Sequence, residues 1–435
     1  MNTIVHFQEA LDRAAKALID ESLNRDERIM LLRDMKGRLR LLVNADPGWE
    51  KPRIDRICAT LGSLGGFGEV PEQAVLYAKD FFDLTRIFHD VVLMQDPAWA
   101  APVRIVDRQI IGQDWLNPLD TSDGPPRLVF FGIKGGVGRS TAMAILAHTL
   151  AREGKRVLLV DLDLESPGLS GLMLPHENMA DFGIVDYLIE DAVGQGEDVI
   201  RRMVTASPMS IQTQGEIRVV TAMGSGERDY ISKLSRAYAD VPGPDGPISF
   251  ASRMRRLLDQ LAAQEQPHVI LIDSRAGLHD LAAICTVGLA GNVLLFGSDS
   301  PQSWQGYRLL FQHWQRHPEI LKSIRDRLKM VQALFPETDQ AARFTSFLQH
   351  SYDVFVNTLY ESTPPEQEDP DAFNFAKSDE AAPHYPLRIN WDNRFQEFSP
   401  LLLASGAMTE DQIQATFGAF LKGAKGLVGL TGELA

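Results

Sequence analysis

Cysteine is scarce in this 435-residue chain, with only Cys58 and Cys285 far apart in sequence. That excludes a disulfide framework or a Cys-rich metal site and favours a reducing compartment. The ten histidines show no spacing suited to zinc, and no spacing suggests a nucleophile triad. Positive charge is also in deficit: 43 Lys and Arg stand against 58 Asp and Glu, a net charge of −15. This opposes any binding mode that needs a broadly basic surface against phosphate backbones or anionic lipid, so nucleic acid is not an expected partner. Long apolar runs are missing. Leu281 to Gly297 approaches a membrane span, but Gly288, Gly291 and Asn292 interrupt it, and it reads as a buried helix followed by a buried strand. The start, MNTIVHFQEALDR, carries charge before any apolar core and does not read as a secretory signal, which makes the cytoplasm the expected compartment. No fixed-period repeat is present, which removes solenoids and propellers.

What remains is an ordinary globular balance, 44% apolar and 23% charged, long enough for two or three domains. From Val5 to Val43 apolar residues recur at three- and four-residue spacing (Leu11, Ala14, Ala15, Leu18, then Met30, Leu31, Leu32, Met35, Leu39), predicting two amphipathic helices. Helical patterns continue over Arg53–Leu61 and Pro71–Met94, so residues 1–95 are expected to form a small helical domain. Residues 96–126, with five prolines and weak periodicity, read as a linker.

At Arg127 the character changes. Leu128–Phe131 is apolar, Gly132–Gly138 is glycine-rich, Arg139–Glu153 is helical, and Val157–Val160 is a second apolar run ending at Asp161. Strand, loop, helix and strand form a βαβ unit with a right-handed crossover. The alternation returns at Phe250–Ala263, Val269–Ile272, Val293–Phe296, Trp304–His317 and Met330–Phe335. The fold class expected for residues 127–435 is therefore α/β, a doubly wound and mostly parallel sheet, preceded by the smaller helical domain. Residues 361–383 hold seven acids and four prolines against one lysine and are expected to form a solvated acidic loop.

The strongest chemical signal is Gly132-Ile-Lys-Gly-Gly-Val-Gly-Arg-Ser-Thr141. Glycines at a strand-to-helix turn let backbone N–H groups converge on phosphate oxygens while the helix N-terminus adds its positive dipole end. Ser140 sits where a hydroxyl ligand for Mg²⁺ is expected, and Arg139 where a phosphate-binding loop has lysine. Two aspartates end apolar strands: Val157-Leu-Leu-Val-Asp-Leu-Asp163 and His268-Val-Ile-Leu-Ile-Asp273. Ser274-Arg-Ala-Gly-Leu278 follows the second.

These motifs, in this order, resemble the deviant phosphate loop, switch I and Walker B strand with switch II of the ParA/MinD family of dimerising P-loop ATPases. The resemblance implies ATP and Mg²⁺ as ligands. It implies a nucleotide cradle of Lys134, Gly135, Gly136, Val137, Gly138, Arg139, Ser140 and Thr141, a metal set of Ser140, Asp161 and Asp273, and Asp163 orienting the attacking water. Lys134 would reach across an ATP-dependent homodimer to the partner's phosphates, and Lys134, Arg139 and Asp163 form the catalytic set. More faintly, Leu387-Arg-Ile-Asn-Trp-Asp-Asn393 resembles the adenine-enclosing loop, with Trp391 and Asp392 as candidates. Arg139 departs from the family's lysine, which predicts slow turnover. Arg275 departs from the usual turn after the Walker B aspartate and is expected to contact phosphate, a switch carboxylate or the second subunit, with a plain salt bridge as the alternative.

The function expected is an ATP-binding, ATP-hydrolysing dimerisation switch whose N-terminal domain recruits a protein partner. The alternatives are a membrane- or DNA-associated positioning ATPase and a nucleotide-binding pseudo-ATPase. The membrane reading rests on Ala415–Leu430, where Phe417, Phe420, Leu421, Ala424 and Val428 share one helical face; a terminal helix packed on the domain is the competing reading.

Overall fold

The computed structural model describes residues 4–81, 87–88, 90–118, 124–211, 213–226, 229–244, 246–362, 371–395, 398–399 and 408–431. The chain divides into two compact units, Met1–Leu116 with Gln312–Ser323, and Asn117–Phe311 with Ile324–Ala435.

The first unit contains helices α1 (Phe7–Asp20) and α2 (Lys51–Gly62), and also a sheet that helical periodicity did not suggest. Its strands are β1 (Ile29–Arg33), β2 (Leu39–Val43), β3 (Val75–Tyr77), β4 (Val92–Met94) and β5 (Val103–Asp107), in the order β3-β2-β1-β5-β4. The helix expected over Met30–Leu39 is therefore corrected to an antiparallel pair, Ile29 opposite Val43 and Arg33 opposite Leu39. The turn between them explains the difference. Gly37 takes φ +81°, Asp34 N–H donates to Arg38 O at 2.9 Å, and the Asp34 carboxylate accepts from Lys36 N and Arg38 N at 2.8 and 2.9 Å. Short apolar runs covered on both faces carry no period that separates strand from helix. Ile29, Leu31, Leu41 and Val43 pack under α1 and α2, while Met30, Leu42 and Val106 face the other way. The described part of Pro71–Met94 is likewise not one helix, and 103–107 is a strand paired in parallel with β1 rather than linker.

The second unit is built on eight strands: β6 (Arg127–Gly132), β7 (Arg156–Leu162), β8 (Val204–Ala206), β9 (Glu216–Val220), β10 (Val269–Ser274), β11 (Asn292–Gly297), β12 (Leu328–Phe335) and β13 (Leu387–Asn390). The order is β13-β12-β11-β6-β10-β7-β9-β8, parallel throughout except for β8. Neighbouring residues along β10, and along β7 from Val157 onward, are all buried, as a sheet covered on both faces requires. The helices of this unit include α3 (Arg139–Arg152), α4 (Ile184–Asp191), α5 (Tyr230–Ala237), α6 (Phe250–Glu265) and, up to Phe311, α7 (Pro301–Gln315). The run 281–297 is buried helix, through a wider-wound turn at Ile284–Leu289, and then β11.

The C-terminal helix α8 (Glu410–Leu427) lies on the same core as α3. Phe417, Phe420, Leu421 and Ala424 are buried there, and the Phe420 ring meets Phe130 and Phe296 at centroid distances of 6.3 and 6.1 Å. The face considered for lipid is thus the face that closes the core, which corrects the membrane reading of the tail. No helix among the described residues is long and apolar enough to cross a membrane. Part of the acidic stretch, 363–370, lies outside the described residues. Its flank is folded rather than loose, since Phe373 packs against Tyr360 and Phe375, and its N–H donates to Glu361 at 3.0 Å.

This packing has two measurable consequences. Phe420→Ala should cost about 3–5 kcal/mol in denaturant unfolding, as deletion of a buried ring does; a cost below about 1 kcal/mol would place the ring at the surface. In the first unit, burial pushes the His317 imidazole down to about 3, with His313 and Arg316 adding to the effect. Below the unfolded-state value near 6.5 the unfolded chain binds the extra proton, so stability should fall as pH drops from about 6.5 toward about 3. His317→Gln should flatten that limb in unfolding midpoints measured against pH, and an unchanged slope would contradict the assignment.

Candidate functional site

The glycine-rich loop leaves the carboxyl end of β6 and enters α3. Gly136 and Gly138 hold left-handed backbone at φ +73° and +76°, conformations that side chains resist. Space beside Gly135 and Gly136 is open to 4 Å. Val137 is buried and anchors the loop, Lys134 is exposed, and Thr141 lies in the first turn of α3, which begins at Arg139. No side chain caps the α3 N-terminus, so no side chain competes for its leading N–H groups, as an anion-binding helix start requires.

Strand register supplies the acidic half of the site. Asp161 on β7 and Asp273 on β10 are direct lateral partners, and Asp273 is also paired with Phe130 on β6. The two carboxylates therefore lie side by side at the sheet's carboxyl edge, Asp273 one strand and Asp161 two strands from β6 and its phosphate loop, which gathers motifs that stand far apart in sequence. Ser140 Oγ donates to Asp273 Oδ2 at 2.6 Å. Asp161 accepts from Asp163 N–H at 3.2 Å and Leu169 N–H at 3.1 Å. Burial, with the Asp273 charge next, pushes Asp161 well above the usual carboxylate range. Burial also raises Asp273 against the pull of Arg139 and the Ser140 hydrogen bond, and raises Asp163 against Arg139 and Arg275.

Asp273 Oδ1 and Asp163 Oδ1 are buried without a hydrogen-bond partner. Buried carboxylate oxygens left in this state are suited to a cation or its water shell. Among the described residues no three His, Cys, Asp or Glu form a ready cage. Two carboxylates and a hydroxyl match a Mg²⁺ that keeps waters and phosphate oxygens as its other ligands, so these residues fit the implied metal.

Arg139 is placed differently from a simple lysine substitute. It is 8% exposed, and Nη1 donates to the Ser274 carbonyl oxygen, which turns the guanidinium toward the end of β10. Trp391 and Asp392 follow β13 at the same edge of the sheet. Trp391 N–H donates to Phe335 O at 2.7 Å, and the preceding Leu334 comes within 3.9 Å of a side chain built at Gly138. The Asp392 carboxylate is held by Arg394, with Nε at 2.9 Å, and by Thr416 Oγ1 at 3.3 Å, so it serves its own loop; the indole of Trp391 remains 38% exposed.

Sequence reasoning missed the ties among these loops. Gly277, at φ +90°, donates its N–H to Gly132 O at 3.0 Å, fastening the loop after β10 to the phosphate loop. Ile133 packs so closely on α7 that a side chain at Gly306 would meet it at 2.3 Å. A glycine four residues beyond a strand-ending aspartate is a faint sign of the first tie; nothing local announces the second.

A model of the CobQ/CobB/MinD/ParA nucleotide binding domain matches residues 128–358, just over half the chain. The chain belongs to this family. The ATPase GET3 of Paracoccidioides brasiliensis is 31% identical over 139 residues, 30% of this chain and 36% of that protein. The chromosome-partitioning ATPase Soj of Thermus thermophilus is 54% identical over 46 residues, 11% of this chain and 18% of its own. The chain thus spans about a third or less of the length of these curated relatives. Among solved structures, a ParA family ATPase from Chlorobium tepidum aligns with a TM-score of 0.42 at 16% identity, over 69% of this chain and 99% of that one.

Two desolvated carboxylates side by side oppose folding when nothing neutralises them. Asp273→Asn should therefore raise stability by about 0.5–2 kcal/mol without metal or nucleotide, the usual trade at a strained site. It should also remove any stabilisation by Mg²⁺ with nucleotide. Thermal unfolding with and without Mg·ADP reads both effects, and a destabilised variant that still responds to Mg·ADP would contradict the assignment.

Proposed function

We propose that this chain is a Mg²⁺-dependent ATPase that closes into a homodimer around ATP and uses the cycle to engage a protein partner. The observation that carries the reading is the lateral pairing of Asp161 with Asp273, the latter one strand from an uncapped helix start whose Ser140 hydroxyl is bonded to Asp273. Main-chain N–H groups of residues 135–141 bind the phosphates. Ser140, Asp161 and Asp273 would hold Mg²⁺, which supplies charge neutralisation on the β and γ phosphates when bound. Asp163, with one buried carboxylate oxygen unpartnered, orients the attacking water. Lys134, exposed on the loop, contributes its charge to the phosphates bound by the second copy. Trp391 supplies a partly open aromatic face for the adenine.

Residues 1–116, the larger part of the first unit, lie outside the region matched by the family model and are the part available for recruiting a partner. Because Gln312–Ser323 belong to this unit, deletion of residues 1–95 would remove the Gln95 N–H bond to Arg316 O at 2.8 Å and the Leu93 backbone partner of buried His317, and substitutions in the full chain are the sounder test. The pseudo-ATPase reading retains one observation in its favour, the inward bond of Arg139 to Ser274, which takes that cation away from the phosphate cradle.

Phosphate release by the full chain and its variants separates these readings. Asp163→Ala is expected to lower turnover by about a hundredfold or more while Mg·ATP binding persists, a typical loss for a water-positioning group. Lys134→Ala is expected to leave a nucleotide-binding monomer where the parent sediments as a dimer with a slowly hydrolysed ATP analogue. No phosphate release by the parent, together with tight nucleotide binding, would instead establish the pseudo-ATPase.

A further inference from the structure

The loop after β7 and the loop after β10 meet at Glu165. Arg275 Nη1 lies 2.5 Å from Glu165 Oε2, the Tyr238 hydroxyl donates to Oε1 at 2.7 Å, and His279 Nε2 is 3.8 Å from the same oxygen. The Tyr230 hydroxyl, at the start of α5, donates to the carbonyl of the preceding Leu164 at 2.7 Å. The segment that includes α5 therefore grips the first loop through two tyrosines, and Glu165 grips the second loop through Arg275.

The Arg275 contact differs from the tyrosine contacts in kind. Glu165 Oε2 has no directed hydrogen bond despite the close cation, so the pair is held by charge alone. Both side chains are partly open, at 31% and 24% exposure, a setting in which an ion pair contributes little net stability. Arg275 is two residues from Asp273 and its charge acts on Asp163, which puts the cation near the group proposed to orient water. A guanidinium fork matches phosphate oxygens in two-point geometry and gains from their higher charge. Exchange from a loosely held carboxylate to a terminal phosphate is therefore favourable.

We infer that Arg275 is a phosphate-sensing residue gated by Glu165: without a terminal phosphate Glu165 holds it, and the γ-phosphate of a bound nucleoside triphosphate takes it. This inference rests on the proposed nucleotide reading. The exchange leaves Glu165 to Tyr238 and the more distant His279, so occupancy of the phosphate site is felt at the segment that includes α5 and grips the first loop. Arg275 here is a positioning and sensing residue, and Glu165 is its competitor.

Calorimetric titration of the full chain with Mg·ATPγS and with Mg·ADP tests this without relying on turnover. Arg275→Ala should weaken Mg·ATPγS about ten- to a hundredfold, the range for a lost charge-assisted hydrogen bond, with Mg·ADP changed less than about twofold. Arg275→Lys should recover part of the loss. Glu165→Gln should tighten Mg·ATPγS and leave Mg·ADP alone, and this gain should vanish when combined with Arg275→Ala. Equal weakening of both nucleotides by Arg275→Ala, or a Glu165→Gln gain that persists without Arg275, overturns the exchange while leaving nucleotide binding intact. Failure of the unaltered chain to bind either nucleotide overturns the nucleotide reading and the exchange together.

Discussion

Two carboxylates packed edge to edge in a dry sheet set the terms for the rest of the second unit. Asp161 and Asp273 are direct register partners on parallel strands, both nearly excluded from solvent, and burial raises both above their ordinary range. Such a pair persists only when its surroundings offset the repulsion. Here Ser140 donates to one and two backbone N–H groups donate to the other, while Arg139 contributes charge from the first turn of α3. The offset is partial: Asp273 Oδ1, and Oδ1 of nearby Asp163, remain buried without a hydrogen-bond partner, a state suited to a cation or its water shell.

The loops around that place are tied by different kinds of bond. Gly277 to Gly132 is a main-chain bond, and the contact of Ile133 with Gly306 is tight apolar packing; both fix the phosphate loop against its neighbours. The tie between Glu165 and Arg275 is electrostatic and half-exposed. Two of the ties hold the phosphate loop itself, and the third joins the loop after β7 to the loop after β10.

The centre of the second unit is legible in the sequence because β6, β7, β10 and β11 are apolar runs closing at or next to Gly132, Asp161, Asp273 and Gly297, separated by helices with clear periodicity, whereas the short edge strand β8 and its neighbour β9 give no such sign. The spacing of Gly135, Gly136 and Gly138 before Ser140, and the strand-end positions of Asp161 and Asp273, point to one cluster, and strand register sets those two aspartates side by side. The first unit is harder to read. Ile29–Arg33 and Leu39–Val43 are apolar on both faces, so their residues match a helical pattern as well as a strand, and the turn at Asp34–Gly37 is too faint a sign to separate the two. Strand β5 is hidden among prolines that bracket it. The direction of Arg139 is also not legible, since its partner is a carbonyl 135 residues away. The tail reverses an expectation for a related reason: Phe417 and Phe420 form an apolar face, but sequence alone does not say whether protein or lipid covers it.

A crystal structure of the full chain grown with Mg²⁺ and ADP tests the central claim most directly. The β-phosphate should lie within hydrogen-bond distance of main-chain N–H groups between Gly136 and Thr141, with the metal beside Ser140 Oγ and facing Asp161 and Asp273. Nucleotide bound anywhere else, or a phosphate loop that contacts no anion while the ligand is present at saturating concentration, would contradict it.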